Sequence, residues 1–304
     1  MPKIIRYLNF LFFFAGSVMG IFSWFLNEGF SAKADDSRFL STQKTLEKKI
    51  KNWTVLYHNN AAVSDLLPYD LIVLDANTDL SPFSLYEHKK QVFGYVSLAE
   101  VRPERRYFKK LKEADGIFIR ESASWPGSYL VDVRDKRWVL VVIEEIIPEL
   151  LQKGFRGLFL DTLDSAEALE IEDPKKFAGM QQAAVDLVEA IKVHYPEINL
   201  IQNRGYRLLS KTAPYLQYAV FECLHSCWDF KKERYFLRSE ADVEWQKNFM
   251  PEAVRANKKL QFLSLDYWEA NEAQQIKKLY ARARADKFTP YVATISLDKL
   301  VREP

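Results

Sequence analysis

The sequence predicts an α/β protein: a (β/α)8 TIM barrel in a single domain after an N-terminal signal peptide. Three observations carry this expectation. Eight short, continuous apolar runs recur along the chain, as expected for strands buried on both faces. Amphipathic helical stretches lie between several of them, which points to parallel βα units. Removing 34 residues of export signal from 304 leaves 270, close to the roughly 250 of such a barrel.

The elements follow in chain order. Lys3 and Arg6 begin the chain with positive charge, and Leu8 to Leu26 is almost free of charge, with Phe10 to Phe14 at its centre. Ala32-Lys33-Ala34 then offers a small-residue cleavage site before Asp35-Asp36. Basic, apolar, small and then mature chain is the order of a signal peptide, which assigns 1–34 to it and the mature part to the periplasm or exterior. The alternative is an uncleaved anchor, because the apolar run approaches the roughly 20 residues of a membrane span. Residues 35–50 are polar and read as a leader, and 51–304 as the barrel. The strands are expected at Thr54–His58, Leu71–Asp75, Val92–Ser97, Gly157–Asp161, Asn199–Gln202, Ala219–Glu222, Gln261–Leu265 and Pro290–Ile295. Leu130–Val133 is a possible ninth, and residues 102–128 form a basic, irregular insertion after the third. Arg137–Lys153 and Glu272–Lys287 read as helices, the first kinked at Pro148. Asp173-Pro174 is expected to open another helix, as N-cap and first helical position, carried by Phe177, Met180, Ala184, Leu187, Val188 and Ile191. A closed barrel fits better than an open doubly wound sheet, because no Gly-rich first turn is present.

Composition excludes several function classes. Lys and Arg number 43 against 41 Asp and Glu, a net charge of +2, without the basic excess of a nucleic-acid protein. Two cysteines exclude a disulfide scaffold and a four-thiolate metal site. Cys223 and Cys227 fit either an export-compartment disulfide or two free thiols. The four histidines show no metal-ligand spacing, and there is no P-loop, G-x-G-x-x-G or G-x-S-x-G motif. No cofactor or metal is expected. The expected partner is a polysaccharide substrate, with no nucleic acid, no membrane once the signal is cleaved, and a monomeric state.

Polar residues gather where the strands stop, which is where parallel α/β folds place function. They are Asp75; Tyr95 with Ser97 and Glu100; Asp161 with Asp164; Gln202-Asn203; Glu222; and Asp266-Tyr267. One carboxylate at a strand end is ordinarily a cap or turn former. Four or five around one rim repel each other unless a ligand, cation or base balances them. Such a rim suits glycosidic chemistry, which needs one protonated and one ionised carboxyl with separated pKa values. Asp161 and Glu222, ending the fourth and sixth strands, are the best pair across the mouth. Asp75, Tyr95, Glu100, Asp164, Asn203, Asp266 and Tyr267 are the candidate substrate-binding residues. For Glu100 and Asp164 a supporting salt bridge explains the residue equally well. The basic run Arg102, Arg105, Arg106, Lys109, Lys110 and Lys112 is ordinarily a solvated face; at the mouth it would favour an acidic polymer instead. Trp125, Tyr129, Tyr206, Trp228 and Trp268 are candidates for stacking on sugars, though most aromatics belong to the core.

Gly94-Tyr95-Val96-Ser97-Leu98-Ala99-Glu100 resembles the Y-x-S-x-G-E segment of glycoside hydrolase family 114, the endo-α-1,4-polygalactosaminidase-like barrels. Gly154 to Ser165, reading G-F-R-G-L-F-L-D-T-L-D-S, is more specifically similar to the family's G-F-D-G-x-F-L-D-T-x-D-S. Gln202-Asn203 with Gly205, Phe221-Glu222 and Pro290-Tyr291-Val292 resemble later segments, so the likeness spans roughly 53–296. Ala99, Arg156 and Arg204 depart from the pattern and suggest a divergent branch. The resemblance implies internal cleavage of α-1,4-linked galactosamine-containing exopolysaccharide, with the catalytic acids on Asp161 and Glu222. The competing readings are a catalytically inactive barrel that binds polysaccharide during export, and a hydrolase of a different glycan.

Overall fold

A computed structural model describes residues 49–57, 61–123 and 125–304. The expected signal peptide, most of the leader and His58 lie outside the described residues. Chain order runs β1 (Trp53–Leu56), β2 (Leu71–Leu74), β3 (Gln91–Ser97), β4 (Glu100–Val101), β5 (Phe118–Glu121), β6 (Tyr129–Val131), β7 (Gly157–Asp161), β8 (Asn199–Asn203), β9 (Tyr218–Glu222), β10 (Ser226–Asp229), β11 (Arg234–Leu237), β12 (Gln261–Tyr267) and β13 (Thr289–Ala293). Eight of these form one parallel sheet in the order β1-β2-β3-β7-β8-β9-β12-β13. The sheet curls into a nearly closed barrel. At the seam the Trp53 indole donates to the Thr289 carbonyl at 3.0 Å, and Tyr57 N–H to Leu297 O at 2.8 Å. The chain is thus a (β/α)8 barrel, and the eight expected strands are its eight staves, with ends shifted by at most two residues.

The expected ninth strand exists as β6, but it lies outside the barrel. It pairs antiparallel with β4 and β5 in a small sheet that organises the insertion after β3. A second excursion, the β10–β11 hairpin, follows β9.

The barrel interior is packed, not hollow. Phe93 meets Tyr218 edge to face at 6.0 Å, and the Tyr218 hydroxyl donates to Gln91 at 2.9 Å. Gly157 sits beside this plug because a Cβ there would lie 2.4 Å from the Phe93 ring. Above it, Phe159 stacks on Tyr95 at 6.3 Å. With a side-chain period of two, Gln91, Phe93 and Tyr95 share the inner face of β3, and Gly157, Phe159 and Asp161 that of β7. The apolar floor therefore lifts the last inward residue of each strand to the mouth.

Two expectations about helices change. Lys136–Val141 and Ile147–Gln152 are joined by a π-helical turn, Val142–Ile146. Pro148 has no N–H for the carbonyl of Glu144, and its ring would clash there. The wider π turn contains Glu144 and accommodates the proline in an unbroken run. Asp173-Pro174 does not open a regular helix. Asp173 follows the helix Leu163–Glu172, and its carboxylate accepts from the N–H groups of Lys175 and Lys176 in a turn. The next helix, Met180–His194, begins after Gly179, whose φ is +85°.

Candidate active site

The mouth holds a cavity of about 1230 Å³. Small-molecule sites usually occupy about 300–1,000 Å³, so there is room for several sugar units. Asp161 and Glu222 both line it. Between them, on the intervening strand, the Asn203 side-chain amide donates to Asp161 Oδ1 at 2.9 Å and to Glu222 Oε2 at 2.8 Å. The opposite amide orientation would set a carbonyl oxygen against two carboxylates. The two N–H bonds of an amide diverge by about 120°, so the two acceptor oxygens sit roughly 5 Å apart. The outer oxygens are held by phenols: Tyr95 donates to Asp161 Oδ2 at 2.8 Å and Tyr267 to Glu222 Oε1 at 2.5 Å. Burial, reinforced by the neighbouring acids, raises both phenols well above their ordinary pKa. They remain protonated donors.

Burial, and then the charge of Glu222, push the Asp161 carboxyl up to about 7, against the pull of its Asn203 and Tyr95 donors. Asp161 therefore titrates near neutral pH.

Three consecutive strands end alike. The residue after Asp161, Asn203 and Glu222 is left-handed in each case: Thr162 (φ +66°), Arg204 (φ +55°) and Cys223 (φ +53°). None is glycine, so each carries a backbone penalty of order 1–3 kcal/mol that the surrounding contacts must hold in place. At Thr162 the hydroxyl accepts from the N–H groups of Leu98 and Ala99 at 3.1 and 2.8 Å and donates to Asp161 O. This ties the ends of β3 and β7 together. At Cys223 the contact is a disulfide to Cys227, the first of the two alternatives the spacing allows.

Two Arg–Asp pairs line the cavity near the acids. Arg204 meets Asp164 at 2.7 Å, and Arg105 meets Asp75 at 3.4 Å. Burial works against the Arg204 charge, but Asp164 and Glu222 outweigh it and hold its pKa above the ordinary arginine value. Arg102 and Arg106 also line the cavity. Each is paired, with Glu104 and Glu149, so the basic run reaches the mouth largely neutralised. Glu100 is buried and accepts from Ser165 and Ser122 at 2.7 and 3.3 Å.

Of the predicted site residues, Asp75, Tyr95, Glu100, Asp161, Asp164, Asn203, Glu222 and Tyr267 all line this cavity. Asp266 does not. It precedes the inward Tyr267 on a strand, so it must face the other way. Its carboxylate accepts from the N–H groups of His225 and Ser226 at 2.6 and 2.8 Å, anchoring the loop behind Glu222. Sequence reasoning also missed Arg204 and Thr162 as site-shaping residues. Their signal was present, since both directly follow strand-end residues chosen for the site. Among the described residues, no group of three or more His, Cys, Asp or Glu side chains could hold a metal ion.

A (β/α)8 barrel whose mouth sets two bridged carboxyls in a multi-sugar cavity defines a glycoside-hydrolase class of protein. Residues 35–304 match the model of glycoside-hydrolase family GH114, and the chain belongs to that family. The glycoside hydrolase domain of PelA from Pseudomonas aeruginosa superposes with a TM-score of 0.74 at 24% identity, over 84% of this chain and 99% of that one. Aspergillus fumigatus Ega3, solved in complex with galactosamine, gives 0.62 at 14% identity, over 84% and 95%. In sequence, an uncharacterized protein of Thermotoga maritima is 24% identical over 217 residues, 67% of this chain and 65% of its own length. The aligned part is thus less than two thirds of that relative. One from Deinococcus radiodurans is 22% identical over 245 residues, 77% of this chain and 76% of its own.

Proposed function

We propose that this protein is a secreted or periplasmic glycoside hydrolase that cleaves α-1,4 linkages within galactosamine-containing exopolysaccharide, with Asp161 as nucleophile and Glu222 as general acid/base. The observation that carries the reading is the Asn203 amide bridging the two acids. It holds their oxygens near the roughly 5–5.5 Å of configuration-retaining enzymes, short of the about 6.5–9.5 Å of inverting ones.

In the first step Asp161 attacks C1 while Glu222 protonates the departing glycosidic oxygen. The C1–O bond breaks and a glycosyl ester forms on Asp161. In the second step Glu222 takes a proton from water, the water oxygen bonds to C1, and Asp161 leaves as carboxylate with the anomer retained. The raised pKa of Asp161 stands against its ionised role before substrate binds. Its two donors and the positive charge developing at C1 favour ionisation once substrate is bound. Galactosamine, the ligand in the Ega3 structure, carries an ammonium group that suits an acid-lined cavity whose arginines are already paired. The Cys223–Cys227 disulfide accords with an oxidising compartment, and no helix among the described residues is long and apolar enough to cross a membrane.

The test is reducing-end release from partly de-N-acetylated α-1,4-galactosaminan, with NMR reading the product anomer. Asp161→Asn is expected to abolish release with the fold intact. With an activated aryl glycoside, which needs no proton donor, Glu222→Gln is expected to accumulate the covalent ester. Undiminished turnover by Asp161→Asn would reject the assignment, and an inverted anomer would reject the retaining step.

A further inference from the structure

Trp125 and Phe230 are large apolar side chains left 44% and 54% exposed, yet their rings touch. Their centroids lie 5.0 Å apart at 76°, edge to face. Trp125 lies between β5 and β6, in the excursion that leaves the barrel after β3. Phe230 sits beside β10, at the tip of the hairpin that leaves after β9. In the barrel, β3 and β9 are separated by β7 and β8, whose ends carry Asp161 and Asn203. A contact joining the two excursions therefore spans the edge of the mouth where the catalytic acids project, and both rings line the same cavity as those acids.

Each arm is tied down behind its ring. On the first, Arg120 forms a two-pronged pair with Glu172 at 2.7 and 2.5 Å, on the helix after β7. On the second, the disulfide fastens the hairpin to the residue after Glu222, and Asp266 holds the backbone at its base. Where the arms meet, the contact is between aromatic rings. Such a pair adds little beyond its buried area, so it parts far more readily than either anchor.

We infer that Trp125 and Phe230 form an aromatic clasp over the catalytic cleft that selects substrate by chain length: closed, it admits short oligosaccharides and chain ends; parted, it lets the middle of a polymer in from the side. This rests on the hydrolase reading and adds to it the determinant of internal against terminal attack.

The test uses the full protein carrying Trp125→Cys and Phe230→Cys. The chain's two cysteines are bonded to each other, so the introduced thiols are the reactive ones. A short bismaleimide locks the arms together without reducing the native disulfide. Against the same variant left uncrosslinked, the locked protein is expected to lose at least tenfold in viscosity-lowering cleavage of long α-1,4-galactosaminan. Its turnover of the corresponding tetramer is expected to stay within twofold. Co-sedimentation with the polymer, which needs no catalysis, is expected to weaken by a similar factor. Failure of the two thiols to cross-link, equal loss on tetramer and polymer, or full polymer cleavage and binding by the locked protein would each overturn the clasp. Absence of turnover by the native protein on every substrate would instead reject the hydrolase reading, with polymer binding still deciding the clasp.

Discussion

Asn203 shows how one side chain can define a chemical site. Two acids roughly 5 Å apart in a buried setting repel each other; a single amide nitrogen donating to both offsets that repulsion and fixes their spacing. Replacing Asn203 with Ala is expected to lower kcat by about 10²–10³, the usual effect of removing a preorganised donor. The acidic limb of the pH–rate profile, set by ionisation of the nucleophile, should also move upward, since the lost hydrogen bond favoured the ionised form of Asp161. In the native protein that limb is expected near pH 7, where Asp161 ionises. Asp161→Asn is expected to trade activity for stability. The mutant should melt higher than the native protein at pH 7.5 and equally at pH 4, as differential scanning calorimetry would show, because burying the ionised carboxyl is costly and burying the amide is less so. The strand-end reading named eight residues that share the cavity and one that does not. The error at Asp266 was avoidable from alternation alone, since Tyr267 and its neighbour cannot both face inward.

At the level of strands and loops, the shortest inserted features do the most positioning. The Cys223–Cys227 loop spans a sequence separation of 4, and closing so small a loop is worth about 2 kcal/mol on the chain-entropy account. Cys227→Ser should then lower Tm by about 4–8 °C and reduce activity beyond that loss, because the bridge anchors the residue after Glu222. Activity measured well below Tm separates the two effects. Gly157→Ala tests the barrel floor. Its Cβ would meet Phe93 at 2.4 Å, an overpacking that costs about 1–3 kcal/mol, measurable by urea denaturation. The eight staves were legible because strands buried on both faces must be apolar throughout. Of the β4–β6–β5 sheet and the hairpin, only β6 was. The other strands are two to four residues long, and nothing in so short a stretch distinguishes a strand from a loop.

Taken across the protein, burial of acids sets the response to pH. Burial chiefly raises Asp161, Glu167 and Asp266 to about 7 each. For a carboxyl whose folded pKa exceeds its unfolded value, the native state binds more protons through the window between them, so stability is fully present below about pH 4 and is lost as pH rises through 7. His225, lowered to about 4 chiefly by burial, acts in the opposite sense between about 4 and 6.5, but it is one group against three. The expected outcome is a net fall in Tm between pH 5 and pH 8, and a Tm that rises over that range would contradict it. The barrel makes this expense necessary, since closing the sheet forces every inward strand end into one confined mouth.

Local order along the chain was enough to assign the barrel and to set the two acids and most of their neighbours at its mouth, because apolar runs and the residues that end them are properties of contiguous sequence. Folding alone brought Asn203 between Asp161 and Glu222, turned Asp266 away, paired Arg105, Arg106 and Lys110 with distant acids and set Trp125 against Phe230. Each of these depends on groups tens of residues apart meeting at a particular distance and angle, and only closure of the barrel fixes those.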